Sequence, residues 1–283
     1  MKQTIKNFLH AFQTVFGVLE WLLRRIIYHN ITIKSLTPSN GRKIRIIANG
    51  PTLLEELEAA AKGDEDYLML NDSAMTDIFS TVKPTRYVML DPLYFTEVLN
   101  QNEAFLNAFL KVDWDMMIFV PASCTSMVKK IFASNSHLKV LPTPSGIPAN
   151  VKLRCVRNFF FKHYLAAPPL QNVVVGAIYT SIMSGYRNIE LFGVGHSWTT
   201  QLAVNDLNQV CLRDVHYYEK DAPMKPWLQC SGVPYRMHII LRDLAQMFDS
   251  YWDLRYFADA IGNVRILNKT RGSFIDAFDR DYD

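Results

Sequence analysis

Ile46-Ile47-Ala48-Asn49-Gly50-Pro51-Thr52-Leu53 decides how the rest of the chain is read. The apolar run from Lys43 to Ala48 predicts a buried strand. Asn-Gly-Pro breaks it, and Leu53, Leu54 and Leu57 then predict a helix. Gly50 suits a tight turn and a close ligand approach. Pro51 suits the first helical turn. Thr52 with Glu55 three residues on has the spacing of a capping box. Strand, turn and helix start together predict an anion-friendly bend, because free N–H groups point at it. Asn49 adds an amide that can both donate and accept.

The same alternation continues outward. Strands are predicted at Tyr67–Leu70, Arg86–Leu90, Met116–Val120, Leu138–Leu141, Ile189–Phe192 and Val264–Leu267. Helices are predicted at Leu53–Ala61, Leu93–Val112 and Val173–Ser184, the last capped by Asn172. This order predicts an α/β fold with a mainly parallel sheet of doubly wound type. Asn49, Asn71, Asp91, Ser123, His196, Ser197 and Asn268 each follow a predicted strand. Ligands of open α/β sheets bind beyond those strand ends. Neutral amides and hydroxyls there suit a base, a ribose or sugar hydroxyls.

The chain has 283 residues, 49% of them hydrophobic, enough for one large domain with additions. Cys124, Cys155, Cys211 and Cys230 form no CxxC pair, so neither a zinc site nor a disulfide framework is indicated. That usage suits a reducing, cytoplasmic compartment. The net charge of +3 divides into about +6 over residues 1–43 and about −3 over the rest. A slightly acidic body argues against nucleic acid as partner. Ile5, Phe8, Leu9, Phe12, Phe16, Leu19 and Leu23 recur at helical spacing, with Lys2, Lys6, Arg24 and Arg25 around them. The charge-free stretch Asn7–Leu19 is too short to span a bilayer. Residues 1–36 are therefore expected to form an amphipathic helix lying on an anionic inner-membrane surface, or packing on protein. Residues 37–283 are the expected Rossmann-like domain.

No GxxxxGK[ST] and no complete GxGxxG follows the first strand, which disfavours P-loop and nicotinamide or flavin chemistry. Asp113-Trp114-Asp115 has metal-pair spacing but precedes a strand, so no metal is expected there. Residues 142–170, with five prolines, and the polar, aromatic residues 198–230 interrupt the alternation. The second segment is the expected lid. His216 at its centre is the candidate general acid or base, since an imidazole titrates near neutrality.

These motifs resemble the bacterial sialyltransferases of glycosyltransferase family forty-two and related polysaccharide-locus proteins. Residues 47–53 resemble that family's A-G-N-G-P-S-L opening. Leu70-Asn71-Asp72 resembles its second-strand Asn, and Ser184 to Gly193 resembles its L-G-Y-K-E-I-Y-L-S-G run. His216-Tyr217 lies where the family keeps its catalytic His-Tyr, and Val194-Gly195-His196-Ser197-Trp198 is similar to G-A-D-H-S-W of the polysaccharide-locus relatives.

The resemblance implies a single Rossmann-like domain of the glycosyltransferase A type with a lid. It implies an inverting, metal-independent transfer from a CMP-activated sugar to a cell-surface glycan, and possible homo-oligomers. His216 would be the base. Asn49, Gly50, Pro51, Asn71, Asp91, Asn172, Gly193, His196, Ser197 and Tyr217 would surround the nucleotide sugar. Asn172-Val173 stands where the family has Thr-Ser, Gly195 where it has Asp, and Asp91 where it has Asn. The donor sugar is thus open between sialic acid, Kdo and similar sugars. A Mg/ATP-dependent pyrophosphokinase-like transferase and a non-catalytic polysaccharide-complex protein are the competing readings.

Overall fold

The computed structural model describes residues 2–28, 42–60, 63–219, 221–229 and 232–282. The boundary expected at residues 36 and 37 lies outside them. The strands are β1 (Lys43–Ile47), β2 (Asp66–Leu70), β3 (Arg86–Val88), β4 (Met116–Pro121), β5 (Leu138–Thr143), β6 (Asn188–Phe192), β7 (Leu202–Val204), β8 (Val210–Leu212), β9 (Lys225–Pro226), β10 (Arg265–Asn268) and β11 (Asp279–Arg280). Eight form one sheet in the order β11-β10-β6-β1-β2-β3-β4-β5, and each registered pair in it is parallel. From β1 the chain runs outward to β5, then returns to place β6 on the other side of β1. The sheet is therefore doubly wound and Rossmann-like, with its switch point between β1 and β6. β7, β8 and β9 make a small antiparallel sheet within the expected lid segment.

The helices are α1 (Lys2–Tyr28), α2 (Leu53–Ala59), α3 (Asp77–Val82), α4 (Leu99–Gln101), α5 (Glu103–Leu110), α6 (Thr125–Ile131), α7 (Arg154–Lys162), α8 (Val173–Met183) and α9 (Met237–Ile261). They cover both sheet faces. Ile44, Ile46, Leu68 and Leu191 face α8 and α9, whereas Ile47, Met69, Ile118 and Phe192 face the α2, α5 and α6 side. The alternation along each strand sends neighbouring side chains to opposite cores. The single helix expected over Leu93–Val112 is instead a π-helical turn (Tyr94–Val98) followed by α4 and α5. Asn102 causes the break: its side-chain oxygen accepts from Phe105 N at 3.0 Å and starts α5 anew. α7 falls inside the proline-rich interruption, and α9 was not anticipated.

α1 forms as expected but sits on the body by the face that carries Thr14, Gly17 and Trp21. Thr14 Oγ1 accepts from Lys152 N at 2.9 Å and Leu153 N at 3.0 Å. A Cβ on Gly17 would lie 2.6 Å from Val151 N, so only glycine allows this approach. Trp21 donates to Leu165 O at 3.1 Å and packs edge-on against Phe160. The large apolar side chains, from Ile5 and Phe8 to Leu23 and Ile26, point away from the body and are exposed. No helix among the described residues is long and apolar enough to cross a membrane.

Candidate active site

The loops after β1 and β6 cross at the switch point. Gly50 N donates to Gly193 O at 2.8 Å, and Ala48 N to Phe192 O at 2.9 Å. A Cβ on Gly50 would lie 2.4 Å from Gly193 O, and one on Gly193 would lie 2.6 Å from Ala48 O. Gly193 also has φ +66°. Both glycines therefore serve a backbone crossing. The expected capping box does not form. Thr52 bonds to Glu56 within its own helix, and Glu56 Oε2 accepts from Gly193 N at 2.7 Å across the crossing. Leu53 N is engaged by Gly50 O at 3.1 Å. With these N–H groups occupied and α2 only seven residues long, the bend is not an open anion nest.

A cleft of about 140 Å³ opens beside this crossing. Asn49, Gly50, Pro51, Asn71, Asn172, Gly193, His196, Ser197 and His216 all line it, together with Gly195, Trp198, Gln201, Asp214 and Val215. Asn49 Oδ1 accepts from Ser73 Oγ at 2.9 Å. Asn172 Oδ1 caps α8 through Val174 N at 2.8 Å, as expected. Asn71 holds φ +49°, an uncommon conformation for a residue other than glycine, and Tyr87 fixes it by donating to its carbonyl. Asn71 Oδ1 and Gln201 Oε1 are buried and have no hydrogen-bond partner among the described residues. Both residues line the cleft, and buried acceptors ordinarily have a donor.

His196 also has a positive φ, +54°. Its Nε2 lies 2.5 Å from Tyr251 Oη and its ring stacks on Trp198. Burial pushes its pKa down to about 3, so it is neutral at physiological pH and holds the loop in place. His216 is different. Its Nε2 lies 3.4 Å from Asp214 Oδ2, and its ring stacks on Tyr218. Asp214 raises the His216 pKa above the ordinary 6.5, burial opposes that rise, and the Asn49 carbonyl and Asp72 reinforce it. The same contact lowers the Asp214 pKa, and Trp198 Nε1 donates to the other carboxylate oxygen at 3.3 Å. An imidazole backed by a carboxylate can take a proton and hold it as imidazolium.

Two expected site residues stand apart. Asp91 is exposed and accepts from Leu93 N at 2.9 Å, capping the turn that follows it, because an Asp before Pro readily closes such a turn. Tyr217 joins the cleft only through its backbone, donating to Asn49 O at 3.1 Å. Its ring faces a neighbouring hollow of about 640 Å³ with Leu54, Asp72, Met75 and Tyr218. Burial pushes the Tyr218 hydroxyl pKa up to about 12, so it stays protonated as a donor. Asn268 is fully buried and bonds within its own loop, to Ser273 Oγ and Thr270 N. Asp113 and Asp115 pair with Lys83 and His137, each at 2.9 Å, beyond the N-terminal end of β4. Asp214, Trp198 and Gln201 were missed. Asp214 stands two residues before His216, and that Asp-x-His spacing was the available signal.

Fold and site thus define a doubly wound parallel α/β protein with an amide-lined cleft and an Asp–His pair at its switch point. No family model and no curated protein matches the chain. Among solved structures, it is similar to the MAf glycosyltransferase from Magnetospirillum magneticum AMB-1, at 13% identity, TM-score 0.45, over 88% of this chain and 34% of that one. The chain therefore spans about a third of that protein. It is also similar to the sialyltransferase CstII from Campylobacter jejuni in complex with CMP-3FNeuAc, at 14% identity, TM-score 0.43, over 84% and 86%. The α-2,3-sialyltransferase Cst-I from Campylobacter jejuni gives 13% identity, TM-score 0.43, over 88% and 83%.

Proposed function

We propose that this protein is a glycosyltransferase of the family-forty-two type, moving a sugar from a CMP-activated donor to a glycan acceptor with inversion and without a metal. The carrying observation is the His216–Asp214 pair in the same cleft wall as Asn49, Asn71 and Asn172. His216 removes the proton of an acceptor hydroxyl through Nδ1, its Nε2 being turned to Asp214. That oxygen bonds to the anomeric carbon, the bond from that carbon to the phosphate oxygen breaks, and CMP leaves with the electron pair. Asp214 stabilises the imidazolium that results. A single displacement of this kind inverts the centre. Asn71 Oδ1 and Gln201 Oε1 suit donors such as a cytosine amino group or ribose hydroxyls. No Lys or Arg lines the cleft among the described residues, which favours a monophosphate over a diphosphate leaving group. The cleft is smaller than the roughly 300–1,000 Å³ common for such ligands, so donor entry requires the 198–230 segment to yield as a lid.

The test is release of CMP from CMP-sialic acid and CMP-Kdo in the presence of glycan acceptors. His216→Ala should abolish transfer while donor binding persists. Normal turnover by that variant, or turnover that requires Mg²⁺ and ATP, would overturn the reading.

The exposed face of α1 supports a second element of this function, peripheral attachment to an anionic membrane surface that carries the acceptor. Ten large apolar side chains, Ile5 to Ile26, are exposed on a segment whose first 43 residues carry a net charge of about +6. Vesicles containing phosphatidylglycerol should sediment the protein, and added salt should weaken this.

A further inference from the structure

A second hollow of about 240 Å³ shares Asn172 and Trp198 with the cleft. Trp227 and Tyr235 form its outer wall, with ring centroids 5.6 Å apart in edge-to-face geometry. Trp227 is held by the small sheet, donating from N to Val210 O at 2.8 Å, and its carbonyl accepts from Tyr235 N at 2.9 Å. Ile240, Leu244 and Met247 of α9 form an apolar floor. Polar groups stand at the edges: Asp243, Gln171 and the Asn172 amide, whose Oδ1 is engaged in capping and whose NH₂ group is left to donate.

We propose that this hollow is the subsite for one neutral pyranose ring of the acceptor, gripped between Trp198 and the Trp227–Tyr235 pair. The inference rests on the transferase reading above and extends it to the acceptor. Flat aromatic faces suit the C–H face of a pyranose, and a carboxylate with two amides suits its ring of hydroxyls. At about 240 Å³ the hollow accommodates a single sugar ring. The lining contains one carboxylate and no Lys or Arg, so an acidic sugar or a phosphate is repelled. Trp198 joins this wall to the catalytic pair, since its Nε1 donates to Asp214, which faces His216. A ring seated on Trp198 thus presents a hydroxyl toward the imidazole.

Saturation-transfer NMR on the full chain tests this with methyl glycosides of galactose, glucose, mannose and N-acetylglucosamine as probes. At least one should receive saturation on its ring C–H protons, and free sialic acid should displace none of it. Trp227→Ala should weaken that probe at least tenfold, with Trp227→Phe restoring part of the binding. Asp243→Ala, at a half-buried helix position, gives a second readout and should weaken binding at least threefold. Circular dichroism verifies the fold of each variant. Saturation of no glycoside, or equal saturation in Trp227→Ala and Asp243→Ala, overturns the subsite. CMP added to the wild-type protein separates the two readings. If CMP binds and no glycoside does, the subsite falls and the transferase stands. If a glycoside binds through Trp227 and CMP does not bind, the acceptor role falls with the transferase reading.

Discussion

His216 and His196 line the same cleft and have pKa values shifted in opposite directions. Burial alone acts on His196, while Asp214 outweighs burial at His216. A base must be deprotonated to work, so kcat/KM should rise with pH through a pKa above 6.5. Asp214→Asn removes the carboxylate that favours imidazolium, so this limb should move to lower pH and kcat should fall. An unmoved limb would remove Asp214 from the mechanism. His196 gives a stability prediction of the other sign. Its folded pKa is depressed, so its contribution is present above pH 6.5 and is lost as pH falls from there toward 3. Within that window the unfolded chain binds a proton that the folded chain refuses. The slope is about 1.4 kcal/mol per pH unit. His196→Asn keeps a residue that tolerates positive φ, and denaturant titrations at pH 7, 6 and 5 should show a shallower slope. Neither histidine's chemistry was legible from its own position. His216 could be singled out from its loop and its neighbours in sequence, but Asp214 at the right distance is a product of folding. The anchoring of His196 is not legible in the sequence because Tyr251 is 55 residues away.

At the scale of elements, the β1–β6 loop crossing is the most constrained feature. Gly193→Ala places a side chain at φ +66° and against Ala48 O. The backbone strain alone costs roughly 1–3 kcal/mol, and the clash adds to it, so denaturant titration should show a larger loss. Gly195, with nothing within 4 Å of its built Cβ, is the control that should tolerate alanine. The docking of α1 rests on fewer bonds. Thr14→Val keeps the shape but leaves Lys152 N and Leu153 N without their acceptor, and each such bond is worth about 0.5–1.5 kcal/mol. Faster proteolysis within α1 should report it. On the exposed face, Phe8→Glu with Leu23→Glu removes two side chains whose burial is worth roughly 1.5–3 kcal/mol each, so vesicle binding should drop at least tenfold. A change in oligomeric state instead would identify a second copy as the occupant. The apolar stripe was visible in the sequence. The docking face was not, because Thr14, Gly17 and Trp21 read as interruptions until Val151 and Leu165 meet them.

For the whole molecule, ligand binding links site to stability. If CMP binds only the folded state, a concentration one hundred times its Kd should stabilise the protein by about 2.7 kcal/mol, and Asn71→Ala should reduce the effect. No shift with CMP, but one with Mg²⁺ and ATP, would transfer the cleft to the pyrophosphokinase-like reading. The strand periods, the strand-end polar residues and the stripe of α1 came from local sequence alone. Each depends on residues within one or two turns, where side-chain alternation and helical spacing are set by the backbone itself. Only the tertiary structure decided which strand ends share a cleft. β6 returning beside β1 brings Asn49, Gly193 and His196 together, while Asp91 and Asn268 stay engaged in their own loops. It likewise decided that Gly50 serves a crossing, that Glu56 rather than Glu55 is the used carboxylate, and that Asp214 stands behind His216. Those outcomes depend on strand order and on contacts between residues far apart in sequence, which local patterning does not encode.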